Sequence, residues 1–126
     1  MTVLGPNGVG KTTLLKCIMD FLHWQQGETF IAGQPLRTYK EKELWQVISY
    51  VPQAKRSVFS YRVLDMVVMG LNASQNFFKV PDQSQYDQAE ELLSLLGCQK
   101  LIDRYCNQLS GGELQMVMIA RALISR

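Results

Sequence analysis

Near the start of the chain, Gly5, Gly10, Lys11 and Thr12 stand at the spacing G-x-x-x-x-G-K-[ST]. Pro6, Asn7, Gly8 and Val9 lie between the glycines, and Thr13 follows directly. The chemistry this spacing serves is the holding of a polyphosphate. Glycines let consecutive backbone N–H groups turn inward without Cβ clashes, and a helix that starts at the same spot points its positive end there. Lys11 adds a point charge for β- and γ-phosphates, and the Thr12 hydroxyl is a ligand suited to Mg²⁺. The match implies a nucleotide phosphate site and leaves the class of nucleotide enzyme open.

Two further places could do chemistry. Ser110 and Glu113 are spaced as a capping box, which alone says only that a helix begins. Gly111 and Gly112, however, cost about 0.8–1.0 kcal/mol each against alanine in a helix interior, and a cap does not need them. They would allow close backbone approach beside a serine hydroxyl and bare N–H donors, which makes a candidate second anion site. Gln53 follows Val51 and Pro52 at the carboxyl end of an expected strand, where ligands gather in open α/β sheets. A neutral amide there could contact Mg²⁺ and orient a water, or it could be an ordinary loop glutamine. Position alone does not choose.

The elements that must hold these residues follow from periodicity. Thr2–Leu4 is expected as a short strand leading into the loop. Lys11 to Leu22 is expected as a helix with Leu14, Leu15, Ile18, Met19 and Leu22 on one stripe. Glu28–Ala32 and Val47–Val51 read as further strands, the second stopped by Pro52. Thr38 and Glu41 read as the capping box of a short helix reaching about Trp45. From Ser57 the pattern turns helical, over Tyr61 to Leu71 and then Ser84 to Leu96 with its apolar stripe of Ala89, Leu92, Leu93 and Leu96. One more helical turn is expected over Lys100 to Cys106, and an apolar helix over Leu114 to Ile124. Phe77-Phe78 falls in an expected exposed loop, and His23, the one histidine, reads as a helix-end residue with no carboxylate beside it.

Composition sets outer limits. A chain of 126 residues, 47% apolar, is one domain or less with material for a core. A net charge of +2 with 19% charged residues gives no electrostatic footprint of the size nucleic acid requires, and Lys55-Arg56 reads as a solvated pair. Cys17, Cys98 and Cys106 form no metal-like pair and fit free thiols in a reducing cytosol. No apolar run reaches the length of a membrane span, and the first residues do not read as a signal peptide.

Taken in order, Gly5 to Thr13, then Val51-Pro52-Gln53, a helical insert, and Leu109-Ser110-Gly111-Gly112-Glu113 followed by Ala120-Arg121-Ala122-Leu123 resemble the ATP-binding cassette (ABC) ATPases. They correspond to a Walker A loop, a Q-loop and an LSGG-type signature. Asp65 to Gly70 further resembles the subfamily that serves iron–siderophore and cobalamin import. Glu113 stands where many members carry glutamine. In the family an acidic strand and a switch histidine follow the signature helix, and a β-subdomain with an adenine-stacking aromatic precedes Walker A. The resemblance therefore implies a central piece of such a subunit.

It also implies an α/β fold of the P-loop NTPase type, a partial ABC nucleotide-binding domain with an α-helical subdomain. Residues 1–56 would be the partial ATPase core, 57–108 the α-helical subdomain, and 109–126 the signature motif and its helix. The implied cofactors are ATP and Mg²⁺. Gly5 to Thr13 would hold phosphates, with Lys11 neutralising charge and Lys11 and Gln53 serving the catalytic step. Thr12 and Gln53 would approach the metal, and Ser110, Gly111, Gly112 and Glu113 would meet the γ-phosphate of a second subunit's ATP. No general base is assigned. The implied partners are a second ATP-binding subunit, head to tail, and a transmembrane permease, with no nucleic acid. The implied place is peripheral, on the cytoplasmic face of the inner membrane. Residues 1–126 alone are expected to be marginally stable and to hydrolyse no ATP above background. A soluble ABC ATPase of DNA repair or translation, and a nucleotide-binding piece that never turns over, are the alternatives.

Overall fold

The computed structural model describes residues 2–53, 60–71 and 80–125, so Lys55-Arg56 and Phe77-Phe78 lie outside the described residues. The chain divides into two compact units, residues 1–47 and 48–126.

In the first unit, helix α1 spans Lys11–Ile18. It stops short of the expected Leu22 because Asp20 takes a left-handed φ of 56°, and the Phe21 N–H reaches back to the Lys16 carbonyl at 2.8 Å. His23 consequently lies beyond the helix, and its Nδ1 sits 3.5 Å from an Asp20 carboxylate oxygen. The expected absence of a neighbouring carboxylate does not hold. That same Asp20 oxygen is 3.6 Å from Arg37, so the aspartate serves two partners.

The strand expected over Glu28–Ala32 shrinks to β1, Phe30–Ile31, which pairs antiparallel with β2, Gln34–Pro35. Ala32 and Gly33 make the turn with φ of 49° and 80°, the hand that matches strand twist in a two-residue hairpin. A 3₁₀ turn, Leu36–Thr38, leads to α2, Glu41–Val47. The capping box expected at Thr38 and Glu41 is not made. The Thr38 hydroxyl donates to the Pro35 carbonyl at 2.7 Å, and the Glu43 carboxylate accepts from the Lys40 N–H at 3.2 Å. Among the described residues of this unit only Leu36 is buried.

The second unit is helical. Its helices are α3 (Val63–Val68), α4 (Gln83–Leu95) and α5 (Gly111–Leu123). Asp82 and Gln85 close a capping box at the start of α4, and Gly97 ends it with the Cys98 N–H donating to the Leu93 carbonyl at 2.8 Å. Val63, Met66, Val67 and Val68 pack with Ala89 and Leu93 of α4 and with Leu114, Val117 and Ala120 of α5, and all of these are buried. Gly70 sits where α3 runs out against the end of α5. A Cβ there would overlap the Arg121 carbonyl oxygen and lie 2.7 Å from Ile124 Cγ2. In place of the helical turn expected over Lys100–Cys106 there are two 3₁₀ turns, Gln99–Leu101 and Cys106–Gln108. Between them a single antiparallel bridge joins Tyr105 to Arg62. The Val63 N–H donates to the Arg104 carbonyl at 2.9 Å and the Cys106 N–H to the Tyr61 carbonyl at 2.8 Å.

Two expected strands are absent. Thr2–Leu4 carries no ladder, Val47 belongs to α2, and residues 48–51 carry no strand hydrogen bonding. Strand formation needs a neighbour to pair with, and among the described residues the one sheet is β1–β2. Residues 48–53 instead make bonds to α5. The Ser49 hydroxyl donates to the Ala122 carbonyl at 3.5 Å, and the Gln115 side-chain amide donates to the Pro52 carbonyl at 3.4 Å. The three cysteines are free thiols; Cys98 and Cys106 are buried, and burial raises the Cys106 pKa.

Candidate functional site

The phosphate loop is built by conformation more than by packing. Gly8 and Gly10 adopt φ of 85° and 98°, which L side chains rarely tolerate, and a Cβ at either would meet nothing within 4 Å. Both glycines are therefore required by backbone shape, and the space in front of them is open. Gly10 is the N-cap of α1 and no side chain caps that helix. The first N–H groups of an α-helix have no acceptor within it, so those of Lys11, Thr12 and Thr13 start a helix whose positive end is uncovered by any cap. Lys11 Nζ donates to the Gly5 carbonyl at 2.8 Å and to the Pro6 carbonyl at 2.6 Å. This holds the ammonium against the loop. Thr12 and Thr13 are exposed, as are Pro6, Asn7 and Val9. Left-handed glycines, an uncapped helix start and a tethered ammonium together fit a polyphosphate, and the exposed Thr12 hydroxyl fits an oxygen-seeking cation.

The signature turn is built differently. Ser110 is the N-cap of α5. Its backbone N–H donates to Glu113 Oε2 at 2.7 Å, and the Glu113 N–H donates to Ser110 Oγ at 3.3 Å, which completes the capping box. The hydrogen bonds from Ser110, hydroxyl and backbone, hold the Glu113 carboxyl below its ordinary pKa, with Arg104 adding a smaller pull. Gly111 and Gly112 have ordinary helical backbone, with no positive φ, and a Cβ at either would meet nothing within 4 Å. Neither chain conformation nor internal packing asks for glycine here. Glycine at both positions leaves the start of α5 open to a group that approaches from outside.

Gln53 is exposed and lies in the same unit as this turn, and the carbonyl of its neighbour Pro52 is held by Gln115 of α5. Pro52 and the signature helix are thus joined directly. Gly5 to Thr13 belong to the first unit, and Gln53 and Ser110 to Glu113 to the second. Two residues that touch this apparatus had no sequence signal pointing to them. Gln115 follows the signature but looks like any helix-surface amide. Arg104 reaches Glu113 and the Gln108 carbonyl only because two 3₁₀ turns fold the chain back on itself.

With this geometry in hand, the likeness to known proteins is informative. Residues 1–126 match the family described as ABC transporter. A relative from Helicobacter pylori, named for iron chelatin transport as an ATP-binding protein, is 37% identical over 126 residues, covering 99% of this chain and 49% of that protein. The zinc transport system ATP-binding protein TroB of Treponema pallidum is 35% identical over 124 residues, covering 97% and 45%. A solved structure of a metal-chelate type ABC transporter, in an inward-facing conformation, superposes with a TM-score of 0.71 at 36% identity, covering 98% of this chain and 44% of that one. The chain spans about half the length of the curated relatives it matches. Its fold class is that of the P-loop NTPase domains of ABC ATPases, with helices and a small sheet. By its phosphate loop, its second glycine-bearing helix start and its match along the whole sequence, this chain belongs to the ABC transporter family.

Proposed function

We propose that the chain is part of an ATP-binding and ATP-hydrolysing subunit that drives import of a metal-bearing cargo such as an iron chelate or cobalamin. The family binds ATP, generally with Mg²⁺, and hydrolyses it. The observation that carries the reading is the pair of glycines at the start of α5, which the chain's own packing does not require. A helix start left open by two glycines, in a chain that also holds a phosphate loop, supports an ATP held between two subunits. On this reading Gly5 to Thr13 hold the phosphates of one nucleotide, with Lys11 neutralising charge. Thr12 and Gln53 would be the residues that hold Mg²⁺, which when bound would polarise the phosphates. Ser110, Gly111 and Gly112 of a second, head-to-tail subunit meet the γ-phosphate, and Glu113 caps the same helix start.

The functional division into 1–56, 57–108 and 109–126 belongs to this proposal. So do a transmembrane permease partner and a peripheral place on the cytoplasmic face of the membrane. No helix among the described residues is long and apolar enough to cross a membrane. Relatives named for iron chelatin and zinc transport support metal-bearing cargo. They do not favour a soluble subunit of DNA repair or translation.

The test is Ser110→Arg in a subunit of the relatives' length that carries this chain. Nucleotide binding by the single subunit should stay nearly intact, while dimerisation driven by a non-hydrolysable ATP analogue, followed by sedimentation, should be abolished. An undiminished dimer would reduce the turn to a helix cap.

A further inference from the structure

We propose that Arg104 is a positioning residue for the signature turn, cancelling the charge of Glu113 so that the start of α5 stays receptive to phosphate. The inference rests on the proposed contact between Ser110–Gly112 and a γ-phosphate. A carboxylate in the first turn of a helix is favoured by the same N–H groups and dipole that would serve an anionic ligand. Left to itself, the Glu113 carboxylate would compete with that ligand.

The structure occupies both of its oxygens. Oε2 accepts from the Ser110 N–H at 2.7 Å, and Oε1 is met by Arg104 Nη1 at 3.4 Å. The other guanidinium nitrogen, Nη2, donates to the Gln108 carbonyl at 2.9 Å. One planar fork thus spans the last turn before the signature and the first turn after it. The guanidinium presents its two donors in a fixed planar fork, which the point charge of a lysine would not reproduce. The arm has a fixed base, since the Arg104 N–H donates to the Leu101 carbonyl and its own carbonyl accepts from Val63, each at 2.9 Å. The ion pair is 43% and 36% exposed at its two side chains, and pairs so exposed contribute little to folding. Its position at the mouth of the helix gives it a use that stability does not.

The experiment measures analogue-driven dimerisation of the subunit at low and high salt for Arg104→Met, Glu113→Gln and the double variant. Two unit charges at this range interact strongly enough in partly solvated surroundings to expect about a tenfold weakening for Arg104→Met at low salt, shrinking as salt rises. Glutamine keeps the capping box but not the charge, so adding Glu113→Gln should return the double variant to within about threefold of the unsubstituted subunit. A double variant as weak as Arg104→Met would overturn the proposal, because a purely structural latch on Gln108 gains nothing from Glu113→Gln. So would an Arg104→Met subunit that dimerises normally while Ser110→Arg abolishes assembly. If Ser110→Arg also dimerises normally, the signature reading itself falls and takes this inference with it. Should Arg104→Met fail to fold, Glu113→Gln alone decides. Leaving Arg104 uncompensated should tighten dimerisation at low salt, and unchanged or weaker assembly would overturn the proposal.

Discussion

Replacing Gly70 by alanine tests whether the helical unit is closed by backbone contact. The added methyl would overlap the Arg121 carbonyl oxygen, lie 2.7 Å from Ile124 Cγ2 and 3.0 Å from the Val67 carbonyl oxygen. Carbon atoms prefer about 3.5–4.0 Å, so the ends of α3 and α5 must move apart by roughly 1 Å. The obstruction is a main-chain carbonyl, which cannot rotate out of the way as a flexible side chain would. Overpacking of this kind costs about 1–3 kcal/mol, and a backbone obstacle puts Gly70→Ala toward the upper end. For a unit covering residues 48–126 that corresponds to a fall in Tm of roughly 10–20 °C. Far-UV circular dichroism during heating reads it. Gly111→Ala is the control, since its methyl meets nothing within 4 Å and should leave Tm unchanged or slightly raised. A Gly70→Ala protein melting within about 2 °C of the unsubstituted chain would refute the close approach of the two helix ends.

Two other outcomes are expected. Lys11→Ala removes a charge-assisted hydrogen bond of roughly 1.5–3 kcal/mol and should weaken ATP binding about 10- to 150-fold, measured by titration with labelled nucleotide. Because the folded-state pKa of Glu113 is depressed, its contribution to stability is present above the ordinary glutamate value and is lost as pH falls through the lowered one. Acid titration of helix content should show this loss, and Glu113→Gln should flatten it.

Both glycine-bearing helix starts were legible in the sequence because their information is local. Spacing alone sets Gly10, Lys11 and Thr12 at the start of α1, and the Ser110–Glu113 box forms as its pattern implies. The helices α4 and α5 were legible for the same reason, with apolar residues at helical spacing and, for α5, a capping box at its start. The strands were not. Val47 to Val51 has a β-branched, apolar composition that would fill a sheet, but composition cannot supply the neighbouring strand that makes a ladder. Arg104 illustrates the other limit, since its partner Glu113 is found through two 3₁₀ turns whose geometry leaves no periodic trace.

The bridge between Arg62 and Tyr105 has a consequence for how the molecule reaches its fold. It joins the residue before α3 to the loop before the signature, far apart in sequence, so it can close only after the intervening chain has been brought round. Helices α4 and α5 are local and can begin early, whereas the bridge that seats Arg104 depends on a long closure. The bridge and the Arg104 contact to Glu113 should therefore be among the last features to become ordered in refolding, after the local capping box at Ser110. Substitutions at Tyr61, Arg62 or Tyr105 should then act mainly on the unfolding rate and leave the folding rate nearly unchanged. Loop closure grows only with the logarithm of length, about 0.6 kcal/mol per doubling. The entropic cost of joining Arg62 to Tyr105 is therefore only weakly sensitive to the length of chain between them.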